Sequence, residues 1–375
     1  MLQKCIIRII FYILMNLYRE STLLGFDDIC IIPSIKTRIS SRSECNIKRD
    51  GKLPLFTAPM SCVVNKDNLK IFSENNINTI IPRIYSLEER MELAKKYDCF
   101  FAISLSEAEQ LIESYKYCSN LNEEWKVCID VANGHMQRLI DVCKAFKNQF
   151  TKSILMAGNI ARPMTYLDYC LAKIDYVRVS IGSGGACLTA CNTACYMPQA
   201  SLLDEIYQLK QLMPADSFKT KIIADGGFDN YDKIIKAFAL GADYVMIGKL
   251  FAQCTDVSDS NQYVKVFDND NTWRMKKREE YDPEIDKLVD VNSIYFKYYG
   301  MSTKEAQKEM GKTNLHTSEG ITTYLPISNN TLSGWIENFS DYLTSAMSYC
   351  DCFDLTEFHP KIGIISASSR QNYYK

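Results

Sequence analysis

Eight short apolar, β-rich runs recur along this chain, each separated from the next by a longer stretch. They are Leu55–Met60, Thr79–Pro82, Phe100–Ser104, Lys126–Asp130, Ser153–Gly158, Tyr176–Ser180, Ile222–Asp225 and Tyr244–Gly248. The stretches between them, for example Ser86–Lys96 and Tyr231–Leu240, carry helical periodicity. Strands that alternate with helices make parallel βα units. Eight such units predict an α/β fold, a (β/α)8 TIM barrel. An open doubly wound sheet is the alternative built from the same units.

The ends of the runs favour the barrel. They finish in polar, Gly or Pro residues: Ala58-Pro59-Met60-Ser61, Asp130-Val-Ala-Asn133-Gly134, Ala157-Gly158-Asn159, Ser180-Ile-Gly182-Ser183-Gly184, Asp225-Gly226-Gly227 and Gly248-Lys249. Barrel enzymes assemble their sites from the loops at the C-terminal ends of strands. After the eighth run a long polar stretch, about 256–330, precedes a helix expected near Leu332–Met347. An insertion placed after the last strand overhangs the barrel mouth, so it is read as an active-site flap. Residues 23–375 are thus expected to form one catalytic domain.

Residues 1–22 are read as an extension outside that domain. The run Cys5–Leu17 is apolar but interrupted by Arg8 and too short to cross a bilayer. No small-residue cleavage site follows it, and Met15 is an alternative start. The formal net charge of -2 provides no basic field for nucleic acid or anionic membrane. Of the 15 cysteines, several (Cys62, Cys99, Cys128) lie in apolar runs, and none has zinc-ligand spacing. The expected setting is a reducing cytosol, with a cytoplasmic protein.

Three motifs are candidates for chemistry. In Ile181-Gly-Ser-Gly-Gly-Ala-Cys187-Leu-Thr189, glycines 182, 184 and 185 let backbone N–H and C=O groups approach a ligand. A cysteine in such a loop is a candidate nucleophile, activated by dipoles or a bound cation. A tight turn before a buried cysteine explains the same residues equally well. Asp225-Gly-Gly227 and Met246-Ile-Gly248, on the last two strands, form a candidate phosphate cradle, with Asp225 an acceptor for ribose hydroxyls. Asp130-Val-Ala-Asn-Gly134 either orients a cofactor amide or caps the following helix.

Several motifs in order resemble one family. Lys126-Val-Cys-Ile-Asp-Val-Ala-Asn-Gly134, Met156-Ala-Gly-Asn159, the Cys187 loop running to Met197-Pro-Gln199, Asp225-Gly-Gly227, Ala239-Leu-Gly-Ala-Asp243 and Tyr299-Gly-Met-Ser302 are similar to the IMP dehydrogenase/GMP reductase family. The similarity extends from about Leu23 to Pro326 and includes Gly25-Phe-Asp-Asp28 and Ser41-Arg-Ser-Glu44. It implies a homotetramer of (β/α)8 barrels acting on GMP or IMP. It implies that Cys187 attacks carbon 2 of the purine to form a covalent thioimidate. The same resemblance assigns Gly185, Asp225, Gly226, Gly227, Gly248, Lys249, Tyr299, Gly300, Met301 and Ser302 to the nucleotide. Arg83, Asp130, Asn133 and Gly134 fall to a nicotinamide cofactor, and Gly182, Gly184 and Cys187 to a monovalent cation such as K+.

Within the family the pattern is closer to the reductase branch. The second and third runs are separated by a single helix, which leaves no room for inserted CBS domains. The dehydrogenase flap carries an Arg-Tyr pair that activates water, and Thr303–Ser318 holds neither residue. The flap leads into Thr317-Ser-Glu-Gly320, and the resemblance makes Glu319 and Thr189 the pair that protonates departing ammonia. The implied reaction is NADPH-dependent reduction of GMP to IMP, with NADH as the other cofactor option. Alternatives are an IMP dehydrogenase using NAD, a reductase of another purine nucleotide, and a non-catalytic nucleotide-binding relative.

The sequence departs from the reductases at several points. Gly182-Ser-Gly-Gly185 replaces Gly-Pro-Gly-Ser and loses a serine expected at phosphate. Arg83 stands where lysine is usual, and Arg178 and Ala194-Cys195 are more dehydrogenase-like. Lys249 replaces a small residue. Leu343-Thr-Ser-Ala-Met-Ser-Tyr349 lacks a positive group expected near the dinucleotide.

Overall fold

In the computed structural model, all eight runs are strands: β1 (Leu55–Thr57), β2 (Ile80–Ile81), β3 (Phe100–Ile103), β4 (Lys126–Asp130), β5 (Ile154–Ile160), β6 (Tyr176–Val179), β7 (Lys221–Asp225) and β8 (Tyr244–Ile247). The structure describes residues 22–116, 124–213, 220–258, 262–267, 272–290, 294–315, 317, 319–358 and 362–364. The expected N-terminal extension, with Met15, lies outside them apart from Thr22.

The strands pair in parallel in the order β1-β8-β7-β6-β5-β4-β3-β2. A parallel bridge between Phe56 and Asn78 joins β1 to β2, so the sheet meets itself as a barrel. The seam there is narrow and partly made by side chains. Asn78 Nδ2 donates to the carbonyls of Leu53 and Leu55, each at 3.1 Å, and Thr57 Oγ1 accepts from the Ile80 N–H at 3.0 Å.

The helices include α1 (Leu69–Glu74), α2 (Leu87–Tyr97), α3 (Leu105–Ser114), α4 (Gln137–Gln149), α5 (Pro163–Leu171), α6 (Gln199–Leu212), α7 (Tyr231–Ala239) and α8 (Leu332–Tyr349), with shorter ones at Thr189–Thr193, Lys249–Ala252 and Lys304–Glu309. Their starts follow local chemistry. Ser86 caps α2 by accepting from the Glu89 N–H, Ser104 and Glu107 form a capping box on α3, and Pro163 takes the first position of α5. Apolar helix faces pack on the outside of the barrel strands, burying Phe72, Phe146, Tyr166, Tyr169 and Phe238.

The lumen holds a second apolar cluster. Phe56, Phe100, Tyr176 and Tyr244 meet edge to face with centroids 5.2–5.8 Å apart, closing the barrel floor beneath Met156 and Met246. The mouth is therefore the end with room for ligands. Over it lies an antiparallel sheet of order β10-β9-β11-β12, formed by β9 (Gln262–Phe267), β10 (Trp273–Lys277), β11 (Ile294–Tyr299) and β12 (Thr322–Pro326). The polar insertion is thus a folded flap. A short pair, Ile29–Ile31 with Ile362–Ile364, went unread in the sequence. No helix among the described residues is long and apolar enough to cross a membrane.

Candidate active site

The loop after β6 carries Cys187 into the mouth, and the flap docks directly on it. Leu188 donates its N–H to the Glu319 carbonyl at 2.6 Å, and Ile321 donates to the Ala186 carbonyl at 3.0 Å. Cys187 and Gly320 pair as an antiparallel bridge. That docking needs glycine at 320, since a Cβ there would sit 2.8 Å from Ser302 Oγ and 3.1 Å from the Ala186 oxygen.

It also completes a hydrogen-bonded series. The Cys187 thiol donates to Thr189 Oγ1 at 3.3 Å, and Thr189 donates to Glu319 Oε2 at 2.6 Å. Thiol, hydroxyl and carboxylate are in series, with the carboxylate supplied by the flap. His316 and Ser318, in the same flap motif, lie outside the described residues.

On the wall of the cavity that Cys187 lines runs a chain of paired charges centred on the buried Arg178. Arg178 bonds Asp130 Oδ1 at 2.5 Å and Asp225 Oδ2 at 2.8 Å, and Arg83 reaches Asp130 Oδ2 at 3.2 Å. Burial pushes the Asp130 carboxyl up, but the Arg178 and Arg83 charges outweigh it and hold the group below its ordinary range. Burial lowers Arg178 and the two carboxylates raise it further, so it stays charged. Asn159 Nδ2 adds a bond to Asp225 Oδ2 at 2.7 Å. The sequence assigns Arg178 no role; the signal for it is a basic residue on β6 with Asp225 ending the adjacent β7 and Asp130 ending β4, one strand farther across β5.

Two adjoining cavities of about 470 Å3 each share Gly182, Ser183, Gly184, Asp225, Gly226 and Tyr298. One holds Cys187, Thr189, Glu319, Arg83, Asp130, Gly300, Met301 and Ser302. The other holds Gly185, Gly227, Gly248 and Lys249. Gly226 and Gly227 have φ of +86° and +79°, and a Cβ on Gly226 would lie 2.7 Å from Ser183 Oγ. Gln199 Nε2 holds this turn through the carbonyls of Asp225 at 3.0 Å and Gly226 at 2.8 Å.

Tyr299 stands apart from the other residues of its motif. Its hydroxyl donates to Glu309 Oε1 at 2.6 Å and meets Ser61 Oγ at 3.2 Å, in a separate 320 Å3 cavity behind the flap. Tyr298 faces both nucleotide-sized cavities instead, its hydroxyl 2.9 Å from where a Cβ on Gly248 would stand. Neighbours on a strand point to opposite faces, so one of the two tyrosines had to turn away.

A fourth cavity, about 630 Å3, opens on the other side of Thr189 and Glu319 and is lined by Asn133, His135 and Arg162. Asn133 also accepts the His135 N–H at 3.0 Å. Gly134 packs against the end of β5, where a Cβ would be 2.5 Å from the Asn159 oxygen. The Gly184 carbonyl accepts the Cys187 N–H at 2.9 Å. Among the described residues no three His, Cys, Asp or Glu side chains gather as metal ligands, and every described cysteine is free.

Residues 23–273 match the family described as the IMP dehydrogenase / GMP reductase domain. A GMP reductase of Vibrio atlanticus (strain LGP32) is 27% identical over 368 residues, covering 93% of this chain and 96% of the relative. A GMP reductase of Buchnera aphidicola subsp. Acyrthosiphon pisum (strain Tuc7) is 26% identical over 370 residues, covering 94% and 97%. That of Photobacterium profundum is 25% identical over 366 residues, covering 93% and 96%. With the barrel, the Cys187 loop and the matched span in agreement, the chain belongs to the IMP dehydrogenase/GMP reductase family.

Proposed function

We propose that this chain catalyses the NADPH-dependent reductive deamination of GMP to IMP and ammonia. The observation that carries the reading is the series Cys187–Thr189–Glu319, which joins a nucleophile to a proton carrier. The relatives named GMP reductase, aligned over nearly their whole length, support it.

The chemistry follows from the order of the bonds. The Cys187 proton moves through Thr189 to Glu319 as sulfur adds to carbon 2 of the purine. The bond from carbon 2 to the exocyclic nitrogen then breaks, and Glu319 returns the proton through Thr189 to the departing ammonia. An amino group is a poor leaving group without that proton. A thioimidate on Cys187 remains. A reduced nicotinamide, when bound, supplies the hydride that carbon 2 accepts. Cys187 then departs as thiolate and IMP is released.

Asp225, Gly226, Gly227, Gly248, Lys249 and Tyr298 would hold ribose and phosphate, and Gly300 to Ser302 the base. The 630 Å3 cavity beside Thr189 fits the nicotinamide, with Asn133 on its wall. Arg83 and Asp130 approach from the nucleotide side. A K+ ion would take the carbonyls of Gly182, Gly184 and Cys187; the Gly184 oxygen retains a lone pair beyond its bond to Cys187. The assembly we expect is a homotetramer in the reducing cytoplasm.

The test follows nicotinamide absorbance with GMP plus NADPH and with IMP plus NAD. Loss of absorbance with GMP, abolished by Cys187→Ala, supports the reading. Turnover of IMP with NAD and none of GMP overturns it.

A further inference from the structure

The wall of the 630 Å3 cavity has Thr189 and Glu319 at one side and His135 with Arg162 at another. Its charged groups are unequal in what they have left to give. Glu319 accepts from Thr189 at 2.6 Å, and Glu205 is already engaged. His135 uses both ring nitrogens. Nε2 accepts the Ala161 N–H at 3.0 Å, which leaves Nδ1 to donate to Thr165 Oγ1 at 2.8 Å. That tautomer is neutral. Burial and then the Arg162 charge hold the ring's pKa below its ordinary value.

Arg162 is different. No carboxylate or carbonyl of the described residues bonds its guanidinium, and the side chain is exposed toward the cavity. Its backbone is extended, φ -141° and ψ 134°, as the following Pro163 requires. Among the described residues it is therefore the one cation on this wall, fixed at its root, with its planar fork of donors unspent. Phosphates brought into a cavity need charged donors to replace water, and guanidinium matches phosphate with two parallel bonds.

We propose that Arg162 is the phosphate-binding residue of this cavity and holds a phosphate of the nicotinamide dinucleotide. This rests on the reading that the cavity takes that cofactor. The phosphate is either one of the bridging pair or the one that distinguishes NADPH from NADH.

The test titrates wild type, Arg162→Ala and Arg162→Lys with NADPH and with NADH by nicotinamide fluorescence, and with GMP by calorimetry. In Arg162→Ala the dinucleotide Kd is expected to rise about tenfold to a hundredfold, the range of a charge-assisted hydrogen-bond pair. Arg162→Lys should recover only part, since an ammonium lacks the fork. GMP affinity and the thermal midpoint should not move. An equal loss for NADH and NADPH assigns the contact to the bridging phosphates, and a loss confined to NADPH assigns it to the extra phosphate; both support the proposal. Unchanged affinities for both dinucleotides overturn it. A wild-type protein that binds GMP but neither dinucleotide overturns the reading of the cavity itself.

Discussion

Leu188 on the catalytic loop and Glu319 on the flap are joined through the backbone, N–H to carbonyl at 2.6 Å. The bond puts the Glu319 side chain in register with Thr189, one residue beyond Leu188. Flap position and the Thr189–Glu319 contact are therefore coupled: the carboxylate reaches the hydroxyl when the flap is seated on the loop.

Removing either member of that pair should stop proton delivery without emptying the site. Thr189→Val and Glu319→Gln are each expected to lower kcat by about a hundredfold to ten-thousandfold, the usual range for a lost general acid. The GMP KM should change little, and Thr189→Ser should restore most of the rate. Steady-state kinetics of the four proteins checks this, and a fall in GMP affinity equal to the fall in kcat would contradict it.

The two adjacent tyrosines should separate cleanly. Tyr298→Phe removes a hydroxyl from the nucleotide side and should weaken GMP binding by about fivefold to tenfold, the value of one hydrogen bond. Tyr299→Phe removes a hydroxyl bonded to Glu309 on the flap and should leave the GMP Kd close to wild type. Calorimetric titration with GMP distinguishes them.

The buried Arg178 holds two largely covered carboxylates, so Arg178→Met should cost about 3 kcal/mol, near the low end for breaking a buried charge pair from one side. It should also change the acid limb of stability. Asp130 has a depressed pKa in the folded protein. Its contribution is thus complete above the unfolded value of about 3.9 and is lost as pH falls through the folded value. Without Arg178 the carboxyl shifts upward, and the loss should begin at higher pH. Denaturant midpoints measured from neutral to acid pH show the displacement.

Glycine at 226 is required twice over, by φ and by space; glycine at 51 only by φ. Both have positive φ, +86° and +78°, but a Cβ meets Ser183 Oγ at 2.7 Å at Gly226 and nothing within 4 Å at Gly51. Gly51→Ala should therefore cost about 1 kcal/mol, the left-handed penalty alone. Gly226→Ala should cost about 2–3 kcal/mol and reduce GMP affinity, because it displaces the catalytic loop. Thermal unfolding with and without GMP measures both.

The barrel was legible because apolar runs and helical stretches alternate, and every one of the eight runs became a strand. Tyr231–Leu240 and Leu332–Met347 fell close to α7 and α8 because their apolar spacing and capping residues agree. The Gly226-Gly227 turn was readable because glycine clusters announce close backbone approach. The flap sheet was not, since its strands are half-exposed and mixed in polarity, so alternation is weak there. The opposite facing of Tyr298 and Tyr299 was not legible, because a motif gives spacing but not the face of a strand. The joining of Arg178 to two carboxylates depends on an adjacent strand and on one a strand farther, 47 and 48 residues away in sequence.

The seam between β1 and β2 has a consequence for how the barrel breathes. Elsewhere the strands are stitched by ladders of two to five paired residues; here one bridge and the side chains of Asn78 and Thr57 make the join. Side-chain stitches let go more easily than a ladder, so transient parting of the staves starts at this hem. Met60 and Arg83, which line the catalytic cavity, sit just beyond the two strands it joins. A loosened hem would then be felt first as a slackening of the nucleotide's bed, well before the barrel itself comes undone.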